Sequence, residues 1–187
     1  FFFKGYALSR KGAYGAALEN FSLAKGVLVN DNALLAEIFM QEGSAYLGLN
    51  KQDQAFAAFK EALTISSNGL ELSYLHNLLK YKIELVKTTE RLQELAAKDP
   101  SNPNITFEYA FAQFQAGAYQ KALDEMRKIS NASLAQTAAY QELLGDIYFH
   151  LTQVQDANDS WQKALLYGEG SAVLADKINQ KKYVQAP

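Results

Sequence analysis

The sequence predicts an all-α chain, a solenoid of stacked antiparallel helix pairs, and three observations carry that expectation. The run Leu144-Gly145-x-x-Tyr148…Ala157-x-x-x-Trp161-x-x-Ala164 recurs upstream as Gly43-x-x-Tyr46…Ala55-x-x-x-Phe59-x-x-Ala62, displaced at each matched position by 102 residues, three times 34. Self-similarity at a period of roughly 20–50 residues marks stacked repeats. A twelve-residue step from one small side chain to another also recurs, as Gly5 to Ala17, Gly43 to Ala55, Ala110 to Ala122 and Gly145 to Ala157. Finally, Ala, Leu, Gln, Glu and Lys dominate the 187 residues, and the only prolines are Pro100, Pro103 and Pro187. That is a helix-forming composition.

Each element follows in order. The first pair is expected over residues 1–30, as helices from Phe1 to about Lys11 and from Ala13 to about Val29, with Asn30-Asp31-Asn32 as the turn. The second occupies residues 33–67, as helices over 33–49 and 53–65, closed by Ser66-Ser67-Asn68-Gly69. Gly5 and Gly43 lie 38 residues apart rather than 34, so one extra turn is placed in the second helix of the first pair or in its loop. The third pair covers residues 70–100, with helices to about Val86 and from Thr88 to Lys98. It carries His76 where a small residue would stand and Thr88-x-x-x-Leu92-x-x-Leu95 in place of the small-aromatic-small run. The fourth, residues 103–131, holds helices over 104–115 and 119–129; the fifth, residues 134–168, holds helices over 134–151 and 156–167. After Tyr167-Gly168-Glu169-Gly170, Ser171 is an expected N-cap of a closing helix within residues 171–184. Its Leu174 and Ile178 are four apart, and Lys177, Lys181 and Lys182 are read as lying off that face.

The small-residue spacing has a physical reason. Gly145 lets the first helix of a pair approach the second, Ala157 is the small residue expected to face it, and Tyr148 and Trp161 are expected to fill the space beside that contact. A period of 34 with small and aromatic residues at these places resembles the tetratricopeptide repeat family. The resemblance covers essentially the whole chain and is most specific in the second and fifth pairs. It implies a right-handed superhelix, and it makes Gln113 and Met126 departures, since aromatics are usual there. Its structural positions are Gly5, Ala17, Gly43, Tyr46, Ala55, Phe59, Ala62, Ala110, Ala122, Gly145, Tyr148, Ala157, Trp161 and Ala164.

Several function classes are excluded or disfavoured by composition. A formal charge of −2 gives no electrostatic case for nucleic acid or for an anionic membrane surface. Without cysteine there is neither disulfide nor thiolate zinc site. No apolar run approaches the roughly 20 residues that a membrane span needs, so direct membrane insertion is not expected. Phe1 lacks both a preceding methionine and a cap, so the chain reads as a trimmed product or a piece of a longer one. Phosphate loops and nucleophile elbows are absent from the sequence, and His76 and His150 belong to no metal-ligand spacing. Glu142 and Asp146, four apart, read as a solvated acidic face rather than acid/base machinery. No enzyme activity, cofactor or metal is expected. Asn-x-Ser/Thr tripeptides begin at Asn20, Asn104, Asn131 and Asn158, without weight in a chain so rich in these residues.

Function is sought on the inner face. In solenoids of the family it resembles, the first helix of each pair lines a concave groove, which projects Phe2, Tyr6 and Arg10, then Met40, Ser44 and Leu47, then Asn77, Lys80 and Tyr81, then Phe107, Phe111 and Phe114, then Glu142, Asp146, Phe149 and His150 onto it. The three phenylalanines share one helical face and read either as core or as an apolar groove for a peptide. A clamp for a chaperone's C-terminal carboxylate does not fit, because Phe2, Tyr6 and Ser44 stand where Lys and Asn would be needed. The expectation is a scaffold or adaptor module that binds a protein or peptide. The alternative is a small-molecule or glycan-binding module using the groove aromatics.

Overall fold

The hairpin turns share one construction. In the computed structural model, which describes residues 1–66, 69–129, 132–168 and 170–185, four turns are closed by a residue in the left-handed region: Gly12 (φ 77°), Asn50 (57°), Gly117 (77°) and Thr152 (63°). Behind each, the next N–H reaches the carbonyl five residues back at 2.9 Å: Ala13 to Leu8, Lys51 to Tyr46, Ala118 to Gln113 and Gln153 to Tyr148. This is the Schellman closure, which satisfies the last carbonyls of one helix and reverses the chain into the next.

Twelve helices and no strand form among the described residues. They fall into two compact units. The first, residues 1–81, contains α1 (Phe2–Arg10), α2 (Tyr14–Val27), α3 (Asn32–Gly48), α4 (Gln52–Ile65) and α5 (Leu70–Lys80). Helices α1 and α2 pair, α3 and α4 pair, α3 packs back on α2, and α5 covers α3 and α4. One of its cores joins Ala17, Phe21 and Ala24 of α2 to Ile38 and Ala45 of α3. The second unit, residues 82–187, contains α6 (Leu85–Lys98), α7 (Pro103–Gln115), α8 (Tyr119–Lys128), α9 (Ala132–Ala135), α10 (Ala138–His150), α11 (Val154–Tyr167) and α12 (Leu174–Gln180). Here α6 packs on α7, α7 pairs with α8, α8 packs on α10, α10 pairs with α11, and α12 lies on α11. Its main core unites Ala110, Phe114, Ala122, Leu123, Met126, Tyr140, Leu143 and Ile147.

The glycines let the first helix approach both the backbone at the facing alanine and an aromatic ring of the second. A Cβ placed on Gly145 would sit 2.5 Å from Cδ1 of Trp161 and 2.9 Å from the carbonyl oxygen of Ala157. At Gly5 it would meet Phe21 at 2.6 Å, and at Gly43 it would meet the ring of Phe59. The first helix thus offers a bare backbone against which a ring from the second, sixteen residues later, packs. Ala110 obeys the same step: its sixteenth successor is Met126, a flexible thioether side chain in place of a ring. The departure at Met126 thus stands sixteen residues after a small residue that is alanine rather than glycine.

Several helix limits differ from the sequence expectation, among them the closing helix, which spans Leu174–Gln180 with Val173 at its N-cap, because the N–H and hydroxyl of Ser171 are both given to Glu142. The extra turn belongs to the start of α3, not to α2 or its loop: α2, α4 and α11 each have 14 residues, whereas α3 has 17 against 13 in α7 and α10. Asp31 fixes that early start, its side chain accepting the Leu34 N–H at 2.9 Å. The helix expected over 134–151 is divided into α9 and α10 by Thr137. Its hydroxyl donates to the Leu134 carbonyl at 2.8 Å and accepts from Tyr140 N–H at 3.2 Å, stopping one helix and capping the other. Helix α5 ends at Lys80 rather than near Val86, because Lys82 and Glu84 adopt left-handed conformations. The expected turn at Ser67 and Asn68, the tripeptide at Asn131 and Glu169 lie outside the described residues.

Candidate functional site

The projected inner-face positions separate into packed and accessible groups. In the first unit Met40 is wholly buried, as is Leu47, and Asn77 is turned inward with its amide donating to the Ser73 carbonyl at 2.8 Å. Phe2 is half-buried between Phe3 and Phe21, with ring centroids 5.4 and 6.2 Å away. Ser44 is half-buried, Tyr6 and Lys80 are exposed, and the Lys80 ammonium lies 5.3 Å from the Tyr81 ring. The Tyr81 hydroxyl is buried beside Tyr14, and that burial raises its pKa. The position three before Gly43, expected to face the groove, is a packing position, since Met40 is wholly buried.

In the second unit the α7 row grades from surface to core. Phe107 and Phe111 are half-buried against the core, Phe107 lying 6.4 Å from Tyr140 in a stacked arrangement. Phe114 is buried within the core. The C-terminal end of the stripe is therefore core, while its two N-terminal rings are only partly buried.

Glu142 and Asp146 correct the expectation of a solvated acidic face. They are only 8% and 7% exposed, and Lys177 of α12, 2% exposed, lies between them. Its ammonium is 2.8 Å from Glu142 Oε1 and 2.8 Å from Asp146 Oδ2. Glu142 also accepts the backbone N–H of Ser171 at 2.8 Å and its hydroxyl at 2.5 Å, while Asp146 accepts the Trp161 indole N–H at 2.9 Å. Two buried carboxylates are tolerable because each of their four oxygens accepts at least one hydrogen bond and one positive charge is shared between them. Burial pushes the Asp146 pKa up to about 6, against the opposing pull of Lys177. The sequence signal for this site was the register of Lys177: at three after Leu174 and one before Ile178 it belongs to the apolar stripe of α12, not off it.

Beside the ion triad stands an aromatic group that sequence reasoning found only in part. His150, the last residue of α10, stacks on Tyr119, the first of α8, at 4.3 Å and 8°. Phe114 meets His150 edge-on at 5.6 Å, and Tyr183, beyond the end of α12, approaches His150 at 4.8 Å and Phe114 at 6.1 Å. The Lys177 ammonium lies 5.3 Å from the Tyr183 ring. Desolvation lowers the His150 pKa; burial, then the neighbouring Asp146, raises that of Tyr183 to about 12. Phe149 is half-buried over Trp161, with centroids 5.9 Å apart. No local pattern announces the meeting of Tyr119, His150 and Tyr183, since only the turns bring the helix ends together.

Among the described residues no group of three or more His, Cys, Asp or Glu could hold a metal ion, and no helix is long and apolar enough to cross a membrane. An open cleft of about 420 Å³ lies in the first unit, lined by Phe56, Phe59, Lys60, Leu63, Thr64 and Tyr74.

The sequence matches no curated protein closely enough to define a relative. The family model for the tetratricopeptide repeat matches residues 85–147, from the start of α6 into α10. Residues 85–147 thus resemble the tetratricopeptide repeat, and the turn closure they contain at Gly117 recurs outside them at Gly12, Asn50 and Thr152, so the chain is a helical-repeat protein.

Proposed function

We propose that the chain is an adaptor that binds a peptide segment of another protein along α7, over Phe107 and Phe111. Tetratricopeptide repeats generally mediate protein–protein interactions. The observation that carries the finer reading is the gradient along α7, where two rings one turn apart keep accessible edges while Phe114, at the end of the same row, is held in the core. Rings fixed by packing on one side and open on the other suit an apolar anchor at small entropic cost. Covering what remains exposed of the two phenylalanines contributes no more than about 2 kcal/mol in all. Micromolar affinity needs about 8 kcal/mol, so backbone and polar contacts must supply most of the binding. Binding rather than turnover is favoured because the buried carboxylate pair is already committed to Lys177. A second reading, a small-molecule or glycan site, rests on the cleft between Phe56 and Tyr74.

The test is selection of a random peptide display library on the immobilised chain, followed by titration of the best peptide against the parent and Phe111→Ser. Apolar consensus residues, and at least about tenfold weaker binding by a still-folded Phe111→Ser protein, are expected. Peptides that bind both proteins equally would place the docking face elsewhere. Enrichment of no peptide, with saccharides perturbing the resonances of Phe56 and Tyr74, would favour the second reading.

A further inference from the structure

The α7 row does not stop at Phe111. It runs into the box of Phe114, Tyr119 and His150, and the box is filled by a ring from the chain's own C-terminal segment. The attachment of that segment is uneven. Helix α12 is fixed by Leu174, which has no exposed surface, and by the two ion pairs of Lys177. Lys181 then turns the chain out of the helix at φ 50°, and Tyr183 follows in irregular backbone, half-buried. Two walls of the box, Tyr119 and His150, are themselves half-buried residues at helix ends, so the box reaches the surface. Lifting Tyr183 requires rotation beyond Lys181 and leaves the α12 anchors undisturbed.

We propose that the box of Phe114, Tyr119 and His150 is an anchor site for an aromatic side chain, tyrosine or phenylalanine, of the partner segment that lies along α7, and that Tyr183 occupies it in cis until displaced. The inference rests on the α7 reading above and adds to it the partner's chemistry and a built-in competitor. The resident ring lies tilted on His150 at 4.8 Å and edge-on to Phe114 at 6.1 Å, contacts that recognise a planar aromatic by shape and quadrupole rather than by hydrogen bonds, so phenylalanine and tyrosine both fit. The charge beneath the box adds a preference. Glu142 and Asp146 face a single Lys177, leaving one negative charge in excess, so the incoming ring is unphosphorylated and is favoured by adjoining lysine or arginine. The resident segment has that pattern, Lys181-Lys182-Tyr183. Because resident and partner share the site, removing the resident strengthens partner binding by the factor that its occupancy had withheld.

The experiment uses the whole chain and its Tyr183→Ala variant, with two blocked peptides as probes: Gln-Lys-Lys-Tyr-Val-Gln, the sequence of residues 180–185, and the same peptide with alanine for tyrosine. The ring protons of His150 are followed by NMR, with His76, the other histidine, as internal control. In the variant the His150 signals should shift by the ring-current contribution of Tyr183, its stack on Tyr119 being kept, and return as the tyrosine peptide is added, with half-saturation at least about tenfold lower than in the parent. The alanine peptide should do nothing. Equal titration of parent and variant, or no return of the signals, overturns the proposal. So does a loss of melting temperature in Tyr183→Ala as large as that in Phe114→Ala, which would make Tyr183 core. Tyr183→Leu, which keeps an apolar filler without the aromatic face, should behave as the alanine variant does. The display-selected peptide separates the two readings: dependence on Phe111 without a Tyr183 effect leaves the α7 face and removes the box, whereas a Tyr183 effect without Phe111 dependence does the reverse.

Discussion

Gly145→Ala should destabilise the second unit although alanine is the better helix former. The added methyl would lie 2.5 Å from Cδ1 and 2.6 Å from Nε1 of Trp161, and 2.9 Å from the Ala157 carbonyl. Real Cβ contacts do not occur at such distances, and neither obstacle yields easily. Trp161 is wholly buried, and the Ala157 oxygen is helix backbone. Overpacking of this kind costs roughly 1–3 kcal/mol. Any tilt of the indole also stretches its 2.9 Å hydrogen bond to the buried Asp146 carboxylate, and a charged bond of that sort is worth about 1.5–3 kcal/mol. Against these stands a gain of about 1 kcal/mol in helix propensity. The net expectation is a loss of about 2–4 kcal/mol, which lowers the midpoint of melting by roughly 5–15 °C. Trp161 is the only tryptophan, so its fluorescence during urea unfolding reports on this unit directly. Gly26→Ala in α2 is the control: a Cβ there meets nothing within 4 Å, so the same exchange should stabilise by about 0.5–1 kcal/mol, read by circular dichroism. A Gly145→Ala protein as stable as its parent would refute the claim that the glycine exists to admit the ring.

Two further predictions follow from buried charge and from turn geometry. Lys177→Met should cost about 3–5 kcal/mol by leaving Glu142 and Asp146 buried together without a cation; adding Glu142→Gln and Asp146→Asn should restore much of that loss, and chemical denaturation of the single and triple variants decides it. Thr152→Gly should stabilise by about 1 kcal/mol, since a β-branched side chain at φ 63° is strained where Gly12 and Gly117 are not; an unchanged urea midpoint would show that the turn holds no strain.

What the sequence determined alone was periodic and local. The 102-residue recurrence placed the helix pairs, and the sixteen-residue step from Gly5, Gly43 and Gly145 to Phe21, Phe59 and Trp161 encodes close approach, because backbone exposed by glycine can be covered by one residue at a set distance along the hairpin. Asp31, Asn102 and Thr137 likewise set helix starts through bonds within three residues. Burial of the inner-face positions was decided elsewhere. Glu142 and Asp146 read as solvated because surface is the usual place for carboxylates four apart on a helix, and only α12, thirty-one residues beyond Asp146, supplies the lysine that allows them to be buried. Met40 is wholly buried although its register projected it onto the inner face, and the ring box exists because the turns bring His150 to Tyr119 and the chain end carries Tyr183 to His150 and Phe114. Hydrophobic periodicity says which side of a helix is covered, whereas charge satisfaction and ring stacking depend on which distant side chain arrives, and only tertiary packing specifies that.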